Sequence, residues 1–445
     1  MLYFRLMSKH KEKESTTGLH VKVSKFGSPR IAQLLQETVF GTEGKLRYRQ
    51  QEIAERIRSQ LNVQFIEILK ANRVLGTVGM ANRLVHHKNE MMHTLYVRYL
   101  SIAQPFKSRK RTSFQKPVST TEKKSALREL ITTEITNHFE EPFKEKGLEG
   151  AFYAYVESAN INSRNLCLSM GFRPTRKIET LLFSRFNPSQ KRSIHNISDY
   201  EQGEVKVQLK EFYKNHSFYF EDKIFHTGFY LVKKEKGKII AGIRATPVNW
   251  QLVDYPGFEG WLMREVLPFL PFTNRLFQPD SFKFLAFDYA WHIPEHENLI
   301  PELMAHCCSI FGINLGMIWG DMHSGLIKNL KTGNQLGFIH SIVGSVYADF
   351  MVRPINFIKD GEEMDDAIDE ELELPLKDEA TEVDKEPVLE VLYETAETED
   401  LESNEELTED GEEEQVESVE TKKDELDGLR EILKQPVFVS ALDMT

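Results

Sequence analysis

The stretch NINSRNLCLSMGF, residues 160–172, decides how this chain is read. It opens on polar residues, carries a short apolar stripe and stops at Gly171-Phe172. A glycine there can take the left-handed conformation that ends a helix. Asn160 stands where a side-chain oxygen would cap the first turn. The run before it, AFYAYVES from Ala151, reads as a buried strand, and RKIETLLFSRF at 176–186 reads as a strand that closes the unit.

Outward from this core, LHVKVSKF at 19–26 alternates like a strand, and SPRIAQLLQETVF at 28–40 has helical spacing from Ser28. YRQQEIAERIRSQL at 48–61 predicts a second helix. VQFIEILK, VLGTVGMANRLV and HTLYVRYLSIA then form three strand-like runs, a meander rich in β-branched and aromatic residues. PFKSRKRTSFQKPV at 105–118 is a basic loop with two prolines. A helix is expected from Ser119, where Ser119 and Glu122 have capping-box spacing; Leu127, Ile131, Ile135, Phe139 and Phe143 give it one apolar face, and Gly147 ends it.

The order then recurs. A hairpin at 229–246 places KIIAGI on RVLGTV of 73–78 at an offset of 165. SFKFLAFDYAWHI is a strand, and ENLIPELMAHCCSIFGIN is a helix with Ile300, Met304, Cys307 and Phe311 on one face. MIWGDMHSGLIKNLKTGNQLGF at 317–338 aligns without a gap on 151–172 at an offset of 166, with Ser158 on Ser324, Ile161 on Ile327 and matching Gly-Phe ends. This spacing argues for two related α/β units.

The first half resembles the GNAT acyltransferase superfamily. Its closing motif there is N-x-x-A/S-x-x-L-Y-x-x-x-G-F, and Asn160, Ser163, Leu166, Cys167, Gly171 and Phe172 stand at those places. The resemblance covers about residues 20–186, and a second, degenerate copy covers 195–355. It implies an α/β (α+β) fold of two tandem GNAT-like domains, each a mixed central sheet flanked by helices. It also implies acyl transfer from acetyl-CoA or another acyl-CoA to an amine acceptor, most simply as an N-acetyltransferase, with the cofactor in a cleft where two central strands splay apart. Leu100, Ser101, Ile102 and Ala103 would be the edge that pairs with the pantetheine arm. Asn160, Ser163 and Leu166 would border it, although Asn160 is equally at home as a helix cap.

Two places depart from the family pattern. The glycines of its phosphate loop are replaced by Lys107, Ser108, Arg109, Lys110 and Arg111, which would bind phosphates by charge or have lost that role. Cys167 stands where many members carry a tyrosine that protonates the leaving thiolate; a thiol can do so, but free cysteine is also among the most buried residue types. Glu157, at the strand end, is the candidate base for an incoming ammonium or a plain solvated carboxylate. In the second copy the motif is lost, and Asp321, His323 and Ser324 suit either acid–base work or the closing of a turn.

The net charge of −12 conceals an asymmetry: residues 360–427 carry −28 and the rest +16. So acidic a run, poor in aromatics, reads as a disordered tail with the charge to contact the basic body or a basic partner. It follows a leader over 1–19 and both domains, and a short segment, 428–445, closes the chain either by docking back or by recruiting a partner. Three cysteines without pair spacing suit a cytoplasmic protein, and no run approaches the ~20 apolar residues of a membrane span. No zinc, P-loop or dinucleotide motif occurs, so no metal is expected. The alternatives are a non-catalytic GNAT-like scaffold and, ranked last, a nucleic-acid binder, which has the basic charge but no recognised module.

Overall fold

Alternating apolar residues along the strand runs are realised in one continuous thirteen-stranded sheet. The computed structural model describes residues 19–60, 62–70, 73–87, 90–103, 131–222, 224–225, 229–261, 265–269, 278–355 and 434–444. The expected leader, the basic loop with Lys107, Ser108, Arg109, Lys110 and Arg111, the helix start at Ser119 and the acidic tail at 360–427 lie outside the described residues.

The strands are β1 (Leu19–Ser24), β2 (Arg47–Gln50), β3 (Val63–Lys70), β4 (Arg73–His87), β5 (Glu90–Ile102), β6 (Gly150–Glu157), β7 (Arg173–Ser184), β8 (Ile194–Asn196), β9 (Phe229–Glu235), β10 (Lys238–Asp254), β11 (Phe282–His292), β12 (Leu315–Asp321) and β13 (Val346–Ile355). Their spatial order is β1-β3-β4-β5-β6-β13-β7-β12-β11-β10-β9-β8, with β2 pairing β10. Among the described strands only β5–β6 and β11–β12 pair in parallel. The last strand of the second half, β13, runs between β6 and β7 of the first, while β7 pairs β12 of the second. The halves therefore share their closing strands, and the sheet has no seam between them.

One face packs on an apolar cluster that spans both halves, from Ile31 and Leu35 of the helix Pro29–Glu37 to Val205 and Leu209 of the helix Gln202–Phe212. The opposite face is covered in two parts. Ile131, Ile135, Phe139 and Phe143 cover the first half, and the helix Leu299–Phe311 covers the second with Ile300, Leu303, Met304 and Cys307. Both stripes match the helical spacing of the sequence.

The stretch at 160–172 folds as its residues dictate. Asn160 accepts a hydrogen bond from the Ser163 amide at 3.1 Å and caps the helix Ile161–Ser169. Gly171 follows at φ +85°, as the helix stop requires.

Two expectations are corrected. Tyr48, Arg49 and Gln50 are not helical: they belong to β2, which pairs with Trp250–Leu252 of β10, and the helix is confined to Ile53–Ser59. A ladder with a strand two hundred residues away overrides local helix propensity. In the second copy the helix Gly325–Thr332 starts at its Ser324 cap, two residues before the position aligned with Asn160, and Gly337-Phe338 begins a new helix, Phe338–Val343, instead of ending one. Among the described residues no helix is long and apolar enough to cross a membrane.

Candidate functional site

The parallel pair β5–β6 holds from His93–Gly150 to Tyr96–Tyr153 and then parts. Beyond that point residues 97–103 have no strand partner on the β6 side among the described residues. A bulge helps turn β5 away: Tyr99 and Leu100 together face Val78, and Tyr99 sits at φ +55°. Such a backbone is costly for a non-glycine residue and must be held. Gln60 Nε2 donates to Tyr99 Oη at 2.6 Å, and the Arg98 guanidinium stacks 4.0 Å from its ring centroid.

The mouth of this cleft is crossed by the segment after the helix Pro29–Glu37. Thr38 donates its hydroxyl hydrogen to the Leu34 carbonyl at 2.7 Å, so in its 2.5 Å contact with Ser101 the serine is the donor. Thr42 donates to Glu157 Oε2 at 2.7 Å. The segment thus touches the β5 wall through Ser101 and the β6 wall through Glu157. Its return strand carries Tyr48, which stacks on Trp250 of the second half with centroids 3.7 Å apart. Burial, and then the nearby Glu157 carboxylate, raise the Tyr48 phenol far above its ordinary pKa despite Arg56. It stays neutral beside the carboxylate.

The second half repeats the geometry and fills it. β11 and β12 pair only from Leu285–Gly316 to Phe287–Ile318, and Tyr289, at φ +46°, and Ala290 bulge opposite Ile243. Val78 and Ile243 are 165 residues apart, the offset at which the two hairpins align. Here the bulge carbonyls are taken: Tyr230 Oη donates to Tyr289 O at 2.9 Å and Tyr213 Oη to Ala290 O at 2.7 Å. The chain's own C-terminal residues occupy the opening. Val437 N donates to Asp321 Oδ2 at 3.0 Å, while Ser440 Oγ and Ala441 N donate to Asp288 Oδ2 at 3.0 and 2.9 Å. Arg244, fully buried, pairs with the same Asp288 carboxylate.

No family model matches the sequence, and no curated protein matches it. Among solved structures, the N-myristoyltransferase of Saccharomyces cerevisiae with bound myristoyl-CoA aligns over 77% of this chain and 84% of its own, with a TM-score of 0.51 and 8% identity. A second structure of that enzyme with myristoyl-CoA gives the same score over 80% of its length. The chain has the GNAT fold, in tandem. At this identity the likeness speaks to fold alone, and the duplicated bulge and the two splayed parallel pairs are its internal counterpart.

Within the tandem GNAT fold, the residues singled out by motif fall in different surroundings. Ser101 and Ala103 are buried on the β5 wall, Ile102 is half-buried and Leu100 is exposed. Asn160 is spent on the helix cap, with Ser163 as its partner and Leu166 half-buried one turn on. Glu157 shares its side of β6 with Tyr153 and Tyr155, which line or flank the aromatic cluster. Cys167 packs instead on the cluster of the opposite face, with Phe172 and Met351, and burial pushes its thiol up to about 11. Glu157 and Cys167 therefore serve opposite faces of the sheet.

Asp321, His323 and Ser324 close a turn. Asp321 Oδ1 accepts from the His323 amide at 2.8 Å, Ser324 caps the following helix, and His323 points to solvent. Motif reading missed Thr38, Thr42 and Tyr48, because none carries a local pattern, whereas the C-terminal segment, left open between docking back and recruiting a partner, docks back over residues 437–441.

Proposed function

We propose that the protein is an acyl-CoA-dependent N-acyltransferase whose cofactor lies in the first-half cleft, with acetyl-CoA or a longer acyl-CoA as donor. The observation that carries this reading is the stretch 97–103 beside the bulge at Tyr99, which is laddered to β4 on one side and has no strand partner on the β6 side among the described residues. Its β6-side edge offers backbone groups to a pantetheine arm, whereas in the second half residues 437–441 occupy the corresponding opening. The alignment with an enzyme whose structure holds myristoyl-CoA supports it.

In this reading Leu100, Ser101, Ile102 and Ala103 form the pairing edge. Lys107, Ser108, Arg109, Lys110 and Arg111 supply charge to the phosphates, and Asn160, Ser163 and Leu166 border the arm. Glu157 takes a proton from the acceptor ammonium, directly or through water. The freed amine attacks the thioester carbonyl, an amide bond forms, the C–S bond breaks, and the CoA thiolate takes up a proton. Cys167, which the motif puts forward as the donor of that proton, packs on the face of the sheet opposite Glu157, so solvent is the simpler source of the proton in this reading.

A thiol at about 11 keeps its proton but yields it reluctantly, and this favours one second reading: a GNAT-like scaffold that binds without turnover. Calorimetry with acetyl-CoA and a series of longer acyl-CoAs, followed by turnover with amine acceptors, separates the two. Binding with turnover supports the enzyme, binding alone the scaffold, and no binding removes the cofactor reading.

A further inference from the structure

Residues 434–444 run across the aromatic face of the sheet from the second half to the first. Near the start of the segment, Ser217 pairs with Val437: Ser217 N donates to Pro436 O at 2.8 Å and Phe438 N to Ser217 O at 2.9 Å. Phe438 is then caged by the rings of Tyr213, Tyr219, Phe220 and Tyr289. At the far end Asp443, its side chain 1% exposed, reaches the two residues at which β5 and β6 part, Tyr96 directly and Tyr153 through Arg83. Tyr96 Oη donates to the Asp443 carbonyl at 2.7 Å. Arg83 of β4 donates to both Asp443 carboxylate oxygens, at 2.5 and 2.6 Å, and to Tyr153 Oη at 2.7 Å. The Tyr96 and Tyr153 rings stack 4.9 Å apart between these contacts. Asp443 and its partner Arg83 thereby tie β4, β5 and β6 together at the apex of the cleft.

We propose that the C-terminal segment sets the geometry of the first-half cleft, with Asp443 and Arg83 as positioning residues for whatever that cleft binds. Two parallel strands with free edges extend their ladder unless something fixes where it ends. The bulge at Tyr99 redirects β5 three residues beyond the last pair, but the last pair itself is fixed from the side by Asp443. Tyr155, the next residue on that side of β6, also reaches the segment, with its hydroxyl 3.5 Å from Phe438 O. A buried ion pair adds little net stability, and in some proteins it instead fixes a single arrangement, the role assigned here to Arg83 and Asp443. Only the ligand arm of the following test rests on the acyl-CoA reading above.

The test is amide hydrogen exchange on the full chain without ligand, comparing wild type with Asp443→Asn, with the apolar pair Arg83→Met and Asp443→Leu, and with Ile300→Val, a core truncation in the second half. Asp443→Asn is expected to speed exchange at 93–96 and 150–153 by about tenfold or more, and at 285–287 and 316–318 by far less. The apolar pair should recover the melting temperature without recovering apex protection. Ile300→Val should lower the melting temperature and leave the apex unchanged. Should Asp443→Asn not fold, Tyr153→Phe removes a single oxygen from the same network and is expected to loosen the same amides. Wild-type exchange at the apex in the Asp443 variant, or in Tyr153→Phe where that variant stands in, overturns the proposal. So does apex protection that returns with the melting temperature in the apolar pair. In parallel, acyl-CoA affinity should fall about tenfold in Asp443→Asn. A wild type that binds no acyl-CoA overturns the functional reading and leaves the exchange result to decide this one.

Discussion

Thr42 donates its hydroxyl hydrogen to Glu157 at 2.7 Å, joining the segment that crosses the cleft mouth to the end of β6. The bond holds the carboxylate in one orientation beside the neutral Tyr48 phenol. In the proposed role of general base, Glu157 would contribute roughly 10²–10⁴ in rate. Glu157→Gln should therefore lower kcat by about that factor while acyl-CoA affinity stays within about twofold. Thr42→Val should leave Glu157 in place with less order and cause a smaller loss. Steady-state kinetics alongside calorimetry read both, and a Glu157→Gln variant that retains full kcat would remove the carboxylate from the chemistry.

Burial pushes the Cys167 thiol up to about 11. At pH 8 its thiolate fraction is then roughly two-hundredfold below that of a free cysteine near 8.5. Alkylation by a neutral maleimide or iodoacetamide, followed by mass spectrometry of the 160–172 peptide, should be slower in proportion. Modification at the rate of an exposed thiol would show that Cys167 faces solvent.

Gly171 sits at φ +85°, and a Cβ there would meet Arg353 Cδ at 3.1 Å. Arg353 in turn donates to Glu140 Oε2 at 2.6 Å and covers the Phe152 ring. Gly171→Ala combines backbone strain with a displaced arginine and should cost about 1–2 kcal/mol. Denaturant titration measures it. An unchanged midpoint would mean that the helix stop tolerates a side chain.

Burial lowers the His216 pKa from its ordinary 6.5 to about 4, against the opposing pull of Asp321. Between those values the unfolded chain holds a proton that the folded chain does not, so stability falls as pH drops from 6.5 toward 4, by on the order of 3 kcal/mol. His216→Gln should flatten the stability profile in that window. Below 4.5 a second loss follows. Burial would raise the Glu201 pKa, but hydrogen bonds from Lys234 and Ser198 hold it near 2, so the stability it adds above its ordinary pKa is lost as that carboxylate protonates. Thermal melts from pH 7 to 3 resolve the two steps.

Much of this architecture is legible in local sequence because its causes are local. Asn160 and Gly171 cap and stop a helix through their own side chain and backbone, and Ile131, Ile135, Phe139 and Phe143 cover a sheet by spacing alone. The duplicated hairpins show because Val78 and Ile243 face equivalent bulges. What escapes the sequence depends on distant partners. The four residues of β2 are a strand only because β10 is beside them, and β13 lies between β6 and β7 through contacts that no periodicity encodes. Asp443 has the same character, since its partners Arg83 and Tyr96 lie some 350 residues earlier. The candidate site was half legible for this reason. Glu157 and the 100–103 edge follow from the motif, whereas Thr38, Thr42 and Tyr48, which shape the mouth, do not.

In the proposed function acyl-CoA binds where β5 and β6 part. Amide exchange on the full chain, with and without saturating acetyl-CoA or myristoyl-CoA, tests it most directly. Protection is expected at 97–103 and 154–157, with 288–292 and 319–321 unchanged. Saturated binding that leaves 97–103 unprotected, or that protects the second half instead, would contradict it.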